Sequence, residues 1–236
     1  MPRIAVVVGS YPEPEFVRRR DTILAFAGGD VEVGVVRIAP SPYAKGFGDA
    51  VEPLVPSFVE GFRQAQAEGY EGVVPLGVLD IGIDAGRRAV TIPVVGALEA
   101  ALHVAGLLGV RAGLIVYSEN LVAPVAGLAD RYGLSRLVAG YGHVGTDLTE
   151  LASSKHRLHD AFVKAAEKLV HEHSVDVIVS AGISLCPVHL DRAALEAEIG
   201  LPVVEPIGAP IQIAAALARL RAHHSPRRWP PETRPV

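Results

Sequence analysis

Short apolar runs alternate with amphipathic stretches along the chain. Residues 4–8, 31–38, 72–76, 93–95, 112–116, 136–139, 175–180 and 202–205 read as strands. Several are apolar at every position, as strands covered by helices on both faces are. Between them the spacing turns helical. Ser57 and Glu60 form a capping-box pattern ahead of Phe58, Phe62 and Ala65, so the pattern predicts a helix beginning at Ser57. Leu158, Phe162, Ala165 and Leu169 stripe a second helix, and Asp191 and Gly200 bracket a third as N-cap and C-terminal stop. Two further stripes, Leu98/Ala101/Leu102/Ala105 and Ile213/Ala216/Leu217/Leu220, follow matching Pro-Val-Val units. This alternation predicts an α/β fold with mostly parallel sheets.

The pattern also repeats. Glu71-Gly72-Val73-Val74-Pro75-Leu76-Gly77 recurs as Asp176-Val177-Ile178-Val179-Ser180-Ala181-Gly182, and Ile92-Pro93-Val94-Val95 recurs as Leu201-Pro202-Val203-Val204. The repeat implies two similar lobes related by a pseudo-twofold: residues 1–96 plus 206–222, and residues 97–205. Residues 223–236, rich in proline, form a C-terminal extension, either over the surface or as an arm onto a partner subunit. Each copy of the repeat ends its first strand on glycine.

Composition narrows the class. Half of the 236 residues are hydrophobic and the formal net charge is −4, which argues against a disordered chain and against a nucleic-acid binder. The single cysteine, Cys186, rules out an internal disulfide and points to a reducing, cytoplasmic setting. The most apolar region, residues 92–117, is interrupted by Glu99, His103 and Arg111 and is no membrane span. No cofactor or metal is expected. Gly106-Leu107-Leu108-Gly109 ends a helix instead of opening one, so it fails as a phosphate cradle. His171 and His173 point different ways on a helix.

In an open α/β sheet, ligands bind outside the carboxyl ends of the strands. There lie Ser10 after the first strand, Gly77, the hydroxyls of Tyr117 and Ser118, and Gly182 with Ser184. The hydroxyls suit an anionic oxygen; equally, Tyr117 and Ser118 read as a turn and a helix cap before Pro124, and Ser184 as a cap of its connection. His143, in the glycine-rich stretch from Gly140 to Asp147, reads either as a general acid or base or as a solvated loop histidine.

Gly77-Val78-Leu79-Asp80-Ile81-Gly82-Ile83-Asp84-Ala85 resembles the cysteine-loop motif of the Asp/Glu/hydantoin racemase superfamily, in which a strand ends in Cys and continues Asp-Pro-Gly-Leu-Asp-Ala. Asp80, Gly82, Asp84 and Ala85 match. Pro93-Val94-Val95-Gly96 with Glu99, Ala100 and His103 is similar to the family's next strand and helix, and Ile178 to Gly182 resembles its second cysteine strand. The resemblance implies proton transfer beside a carboxylate or equivalent carbonyl, one thiol on each face of the carbon. Here glycines stand at both thiol positions, and glycine cannot titrate.

The second position has two registers. Counted from the strand it is Gly182; counted back from Pro202 by the sixteen residues that separate Gly77 from Pro93, it is Cys186. Three functional expectations follow. One is a cofactor-independent isomerase or lyase acting at the α-carbon of a small carboxylate or cyclic amide without two thiols, with backbone N–H groups at Gly77 and Gly182 and the hydroxyls holding oxygens. The alternatives are a non-catalytic small-anion-binding or regulatory relative, and a one-thiol decarboxylase using Cys186. The resemblance also implies a homo-oligomer.

Overall fold

The computed structural model describes residues 1–39, 51–145 and 155–232. The expected Thr146 and Asp147 of the glycine-rich stretch, and residues 233–236 of the tail, lie outside the described residues. The chain forms two compact units: Met1–Leu76, Asp80–Ala97 and Pro210–Val236 in the first, Gly77–Leu79 and Leu98–Ala209 in the second.

The first unit begins with β1 (Arg3–Val8), α1 (Glu13–Leu24) and β2 (Glu32–Arg37), followed by α2 (Val55–Ala67), β3 (Gly72–Pro75) and α3 (Ile83–Ala89). Its strands are parallel in the order β2-β1-β3. Residues 93–95 extend this edge through one parallel bridge, Val73 to Val94, with Val73 N–H donating to Pro93 O and Val95 N–H to Val73 O. Ile4 through Val8 are buried, which explains the uninterrupted apolar run. Helix α2 packs across β1, β2 and β3. It starts at Val55, with Pro56 in its first turn and no side-chain cap, two residues before the capping-box reading. A proline with helical φ and no N–H to leave unsatisfied sets that start instead.

The second unit contains most of α4 (Ala97–Leu108), then β4 (Ala112–Val116), α5 (Val122–Arg131), β5 (Val138–His143), α6 (Lys155–His173), β6 (Val177–Ser180), α7 (Arg192–Ile199) and β7 (Val203–Val204). The strands are parallel in the order β5-β4-β6-β7. Asp191 caps α7 as expected, accepting from Ala194 N–H at 2.8 Å, and Gly200 ends it at φ 74°. Helix α8 (Gly208–Arg219) leaves this unit after Ala209 and packs in the first, where Ala214 lies against Gly72 of β3. Among the described residues no helix is long and apolar enough to cross a membrane.

Candidate active site

The carboxyl ends of the second unit's strands gather most of the chemistry-bearing residues expected from sequence. His143 ends β5 directly opposite Val116, the last residue of β4, and the chain leaves β4 as Tyr117 and Ser118. Val144 N–H donates to Val116 O at 3.1 Å, which pins the first residue beyond β5 to the same edge. The imidazole of His143 is exposed, whereas Tyr117 and Ser118 are half-buried. The glycine-rich reading needs correcting here: Gly140 to His143 are strand, not loop, and the strand starts at Val138 instead of Arg136.

On the other side of β4, β6 leads to Ala181 and Gly182. Val78, beside Gly77, and Ala181, beside Gly182, are buried in one apolar cluster with Leu98, Leu102, Val116 and Val204, and Leu79 and Tyr117 pack against it. The two glycines thus enter the same neighbourhood, and they differ in kind. Gly77 has φ 129°, a conformation that side-chain-bearing residues rarely adopt, and a Cβ there would face open space. Gly182 has no such backbone constraint, and a Cβ would make ordinary contact with Leu185 at 3.4 Å and the Tyr117 ring at 3.6 Å. The tyrosine ring thus packs beside the space above Gly182.

Cys186 lies in the loop beyond β6, four residues after Gly182. It is fully buried in a second cluster with Ile115, Phe162, Leu185, Leu190 and Leu195, and its N–H lies 3.4 Å from the Ser180 hydroxyl. Burial first, and the negative charge of Glu205 second, push the thiol's pKa up and hold it protonated. Cys186 thus has the surroundings of a small buried hydrophobe, the second of its two readings from sequence. We expect Cys186→Ala to cost about 1 kcal/mol, the scale of deleting one buried methyl-sized group, in a urea titration. Catalytic rates should not change.

Ser184 is also buried, at 3% exposure, and its carbonyl accepts from His189 Nδ1 at 2.6 Å, so that ring nitrogen carries the proton. Ser184 therefore holds the loop after Gly182 in shape. Ser10 follows β1 in the first unit and is half-buried. Beside it Tyr11 N–H donates to Gly9 O, and the buried Arg19, ion-paired with Glu15, lies 4.0 Å from the centre of the Tyr11 ring. Burial raises the Tyr11 pKa against the opposing pull of Arg19. Among the described residues no group of three His, Cys, Asp or Glu is placed to hold a metal.

Two buried carboxylates were not singled out as site residues from sequence. Glu205 follows β7 and accepts from Ile207 N–H at 2.7 Å and Gly208 N–H at 2.9 Å, closing the first turn of α8; burial raises its pKa against those bonds. In the first unit Asp80 is buried at φ 48°, and a Cβ on Gly96 would fall 2.3 Å from Asp80 Oδ2. Gly96 and Glu205 are equivalent positions of the Pro-Val-Val repeat. Where one lobe brings its acid from the motif loop onto a glycine, the other carries the acid directly after its strand, and that single mismatch in the repeat was the available signal.

Parallel α/β units with glycine-bearing loops beyond the strand ends define the architecture of a racemase-type fold. The chain belongs to the Asp/Glu/hydantoin racemase family, whose model matches residues 18–214. A hydantoin racemase of Rhizobium meliloti is 28% identical over 166 residues, covering 69% of this chain and 66% of that protein, slightly under two thirds of its length. Among solved structures, an allantoin racemase from Klebsiella pneumoniae superimposes with a TM-score of 0.89 at 18% identity, covering 100% of this chain and 96% of that one. An arylmalonate decarboxylase superimposes with a TM-score of 0.63 at 21% identity, covering 92% of each chain.

Proposed function

We propose that the protein is an isomerase or lyase acting at the α-carbon of a small carboxylate or cyclic amide, with His143 as its acid–base group. The observation that carries the reading is the juxtaposition at one sheet edge of an exposed imidazole on β5 with Tyr117 and Ser118 after β4, in a unit whose Gly77 and Gly182 have no titratable side chain. Neutral imidazole takes the α-proton; the electron pair moves onto the adjacent carbonyl, giving an enolate and imidazolium, and the imidazolium returns a proton to carbon. N–H groups at Gly77 and Gly182 and the hydroxyls of Tyr117 and Ser118 hold the developing oxyanion. Alone, this group exchanges the proton on one face; net isomerisation takes the returning proton from water on the opposite face, and in a lyase reaction loss of carbon dioxide leaves the enolate that the imidazolium protonates.

The relatives' names suggest the panel: hydantoins and allantoin, with arylmalonates and free amino acids beside them. In D2O, deuterium should enter the α-carbon of at least one of them, or replace the departing carboxylate. Absence of exchange and turnover across the panel, alongside measurable ligand binding, would identify instead a non-catalytic small-anion-binding relative, the reading that the loss of both thiols also motivates.

A further inference from the structure

We propose that residues 222–232 form a proton-sensitive strap, docked on the first unit at neutral pH and released when His224 becomes charged. The strap is held by a few polar contacts at identifiable points. His224 Nε2 accepts from Val94 N–H at 2.8 Å, at the outer edge of the first unit's sheet. Trp229 Nε1 donates to Asp84 Oδ1 at 2.9 Å, at the start of α3 and inside the glycine-to-alanine motif. The His224 and Trp229 rings meet edge to face at 5.4 Å, and the guanidinium of Arg87 lies 4.8 Å from the Trp229 ring centre. Arg63 pairs with Glu232, whose N–H donates to Arg88 O.

Between these anchors the segment spans a cavity of about 890 Å³ flanked by α2 and α3. Ser225, Pro226, Arg227 and Arg228 are exposed, so the middle of the strap has little packing to hold it. Docking therefore depends on its anchors, and the histidine anchor works only when neutral. An imidazolium has no lone pair for Val94 N–H, and it would face Arg87 of α3 and His223 of the strap itself. The other charged groups around the cavity are Glu60 and Arg63 on α2, Arg88 on α3 and Glu232 on the strap. Asp84 is engaged by Trp229.

Burial, then Arg87, then His223 lower the His224 pKa to about 4 from 6.5. The docked state thus binds fewer protons than the released one between those values. Docking is fully favoured above about pH 6.5, weakens by up to about tenfold per pH unit below it, and loses nothing further below about pH 4.

Trp229 is the chain's single tryptophan, so its emission reports the strap directly. Emission of the full-length protein between pH 8 and pH 4 should shift to the red reversibly below about pH 6.5, while helical circular dichroism stays constant. His224→Gln keeps a neutral acceptor for Val94 N–H and should flatten the transition; His224→Ala, lacking the acceptor, should show the released emission already at pH 7.5. Unchanged wild-type emission, a shift that coincides with loss of helical signal, or the same transition in His224→Gln would each overturn the proposal.

Discussion

His143→Ala is expected to lower the rate of α-carbon exchange by about 10²- to 10⁴-fold, the usual contribution of a positioned general acid or base. The side chain is exposed at the end of β5, so its removal opens no core cavity, and the unfolding free energy should move by less than about 0.5 kcal/mol. That separation makes the test informative. If His143 transfers the proton, the turnover number falls and the Michaelis constant changes little, because the hydroxyls and backbone donors that hold the substrate remain. If His143 merely lines the edge, both parameters stay near wild type and the proposed role fails. Cys186→Ala is the matched control: it should leave exchange intact, since the sulfur is sealed in the second unit's core. Loss of exchange in Cys186→Ala with retention in His143→Ala would restore the thiol and remove the imidazole.

The sequence carried the sheets well where burial was complete and poorly where helices come close. β4 was readable to the residue because all five of its positions are buried and apolar. β5 was not, because Gly140 and Gly142 look like loop residues. Packing supplies the reason for both: a Cβ on Gly140 would lie 2.7 Å from the His173 ring and 2.9 Å from Leu169, and one on Gly142 would lie 3.3 Å from Leu169. Helix α6 lies so close to β5 that a side chain at Gly140 would have to displace His173 and Leu169 and one at Gly142 would crowd Leu169, and those glycines carry His143 to the strand end. The candidate site divided in a similar way. Tyr117, Ser118 and the two strand-ending glycines followed from strand ends and from the repeat. Cys186 could not be placed by counting, since the loop after Gly182 is longer than its counterpart after Gly77, and only the structure shows its sulfur turned into the core. Glu205 went unremarked because a lone acid after a short apolar run has no distinctive spacing; its significance comes from α8 turning its first N–H groups onto it.

Phe62→Ala should be the most damaging single truncation in the first unit, with an expected cost of about 3–5 kcal/mol in chemical denaturation. Phe62 is fully buried on α2 and meets the Phe58 ring edge-on at 6.4 Å. Its ring also seats α3: a Cβ on Gly86 would lie 2.5 Å from Phe62 Cδ2, and one on Gly82 would lie 3.7 Å from Cε2. Helix α3 has seven residues, too few to be stable without tertiary support, so its position depends on this contact. It carries Asp84 and, through Asp84, the anchor of Trp229. Gly86→Ala tests the coupling. In the wild-type background the added methyl collides with the ring and should destabilise; in Phe62→Ala it enters the vacated space and should cost less or recover stability, a non-additivity on the order of 0.5–3 kcal/mol. Additive effects would mean that α3 is seated by other contacts. A Phe62→Ala protein with normal stability but an altered Trp229 emission would mean that the aromatic ring positions the motif helix without supporting the fold.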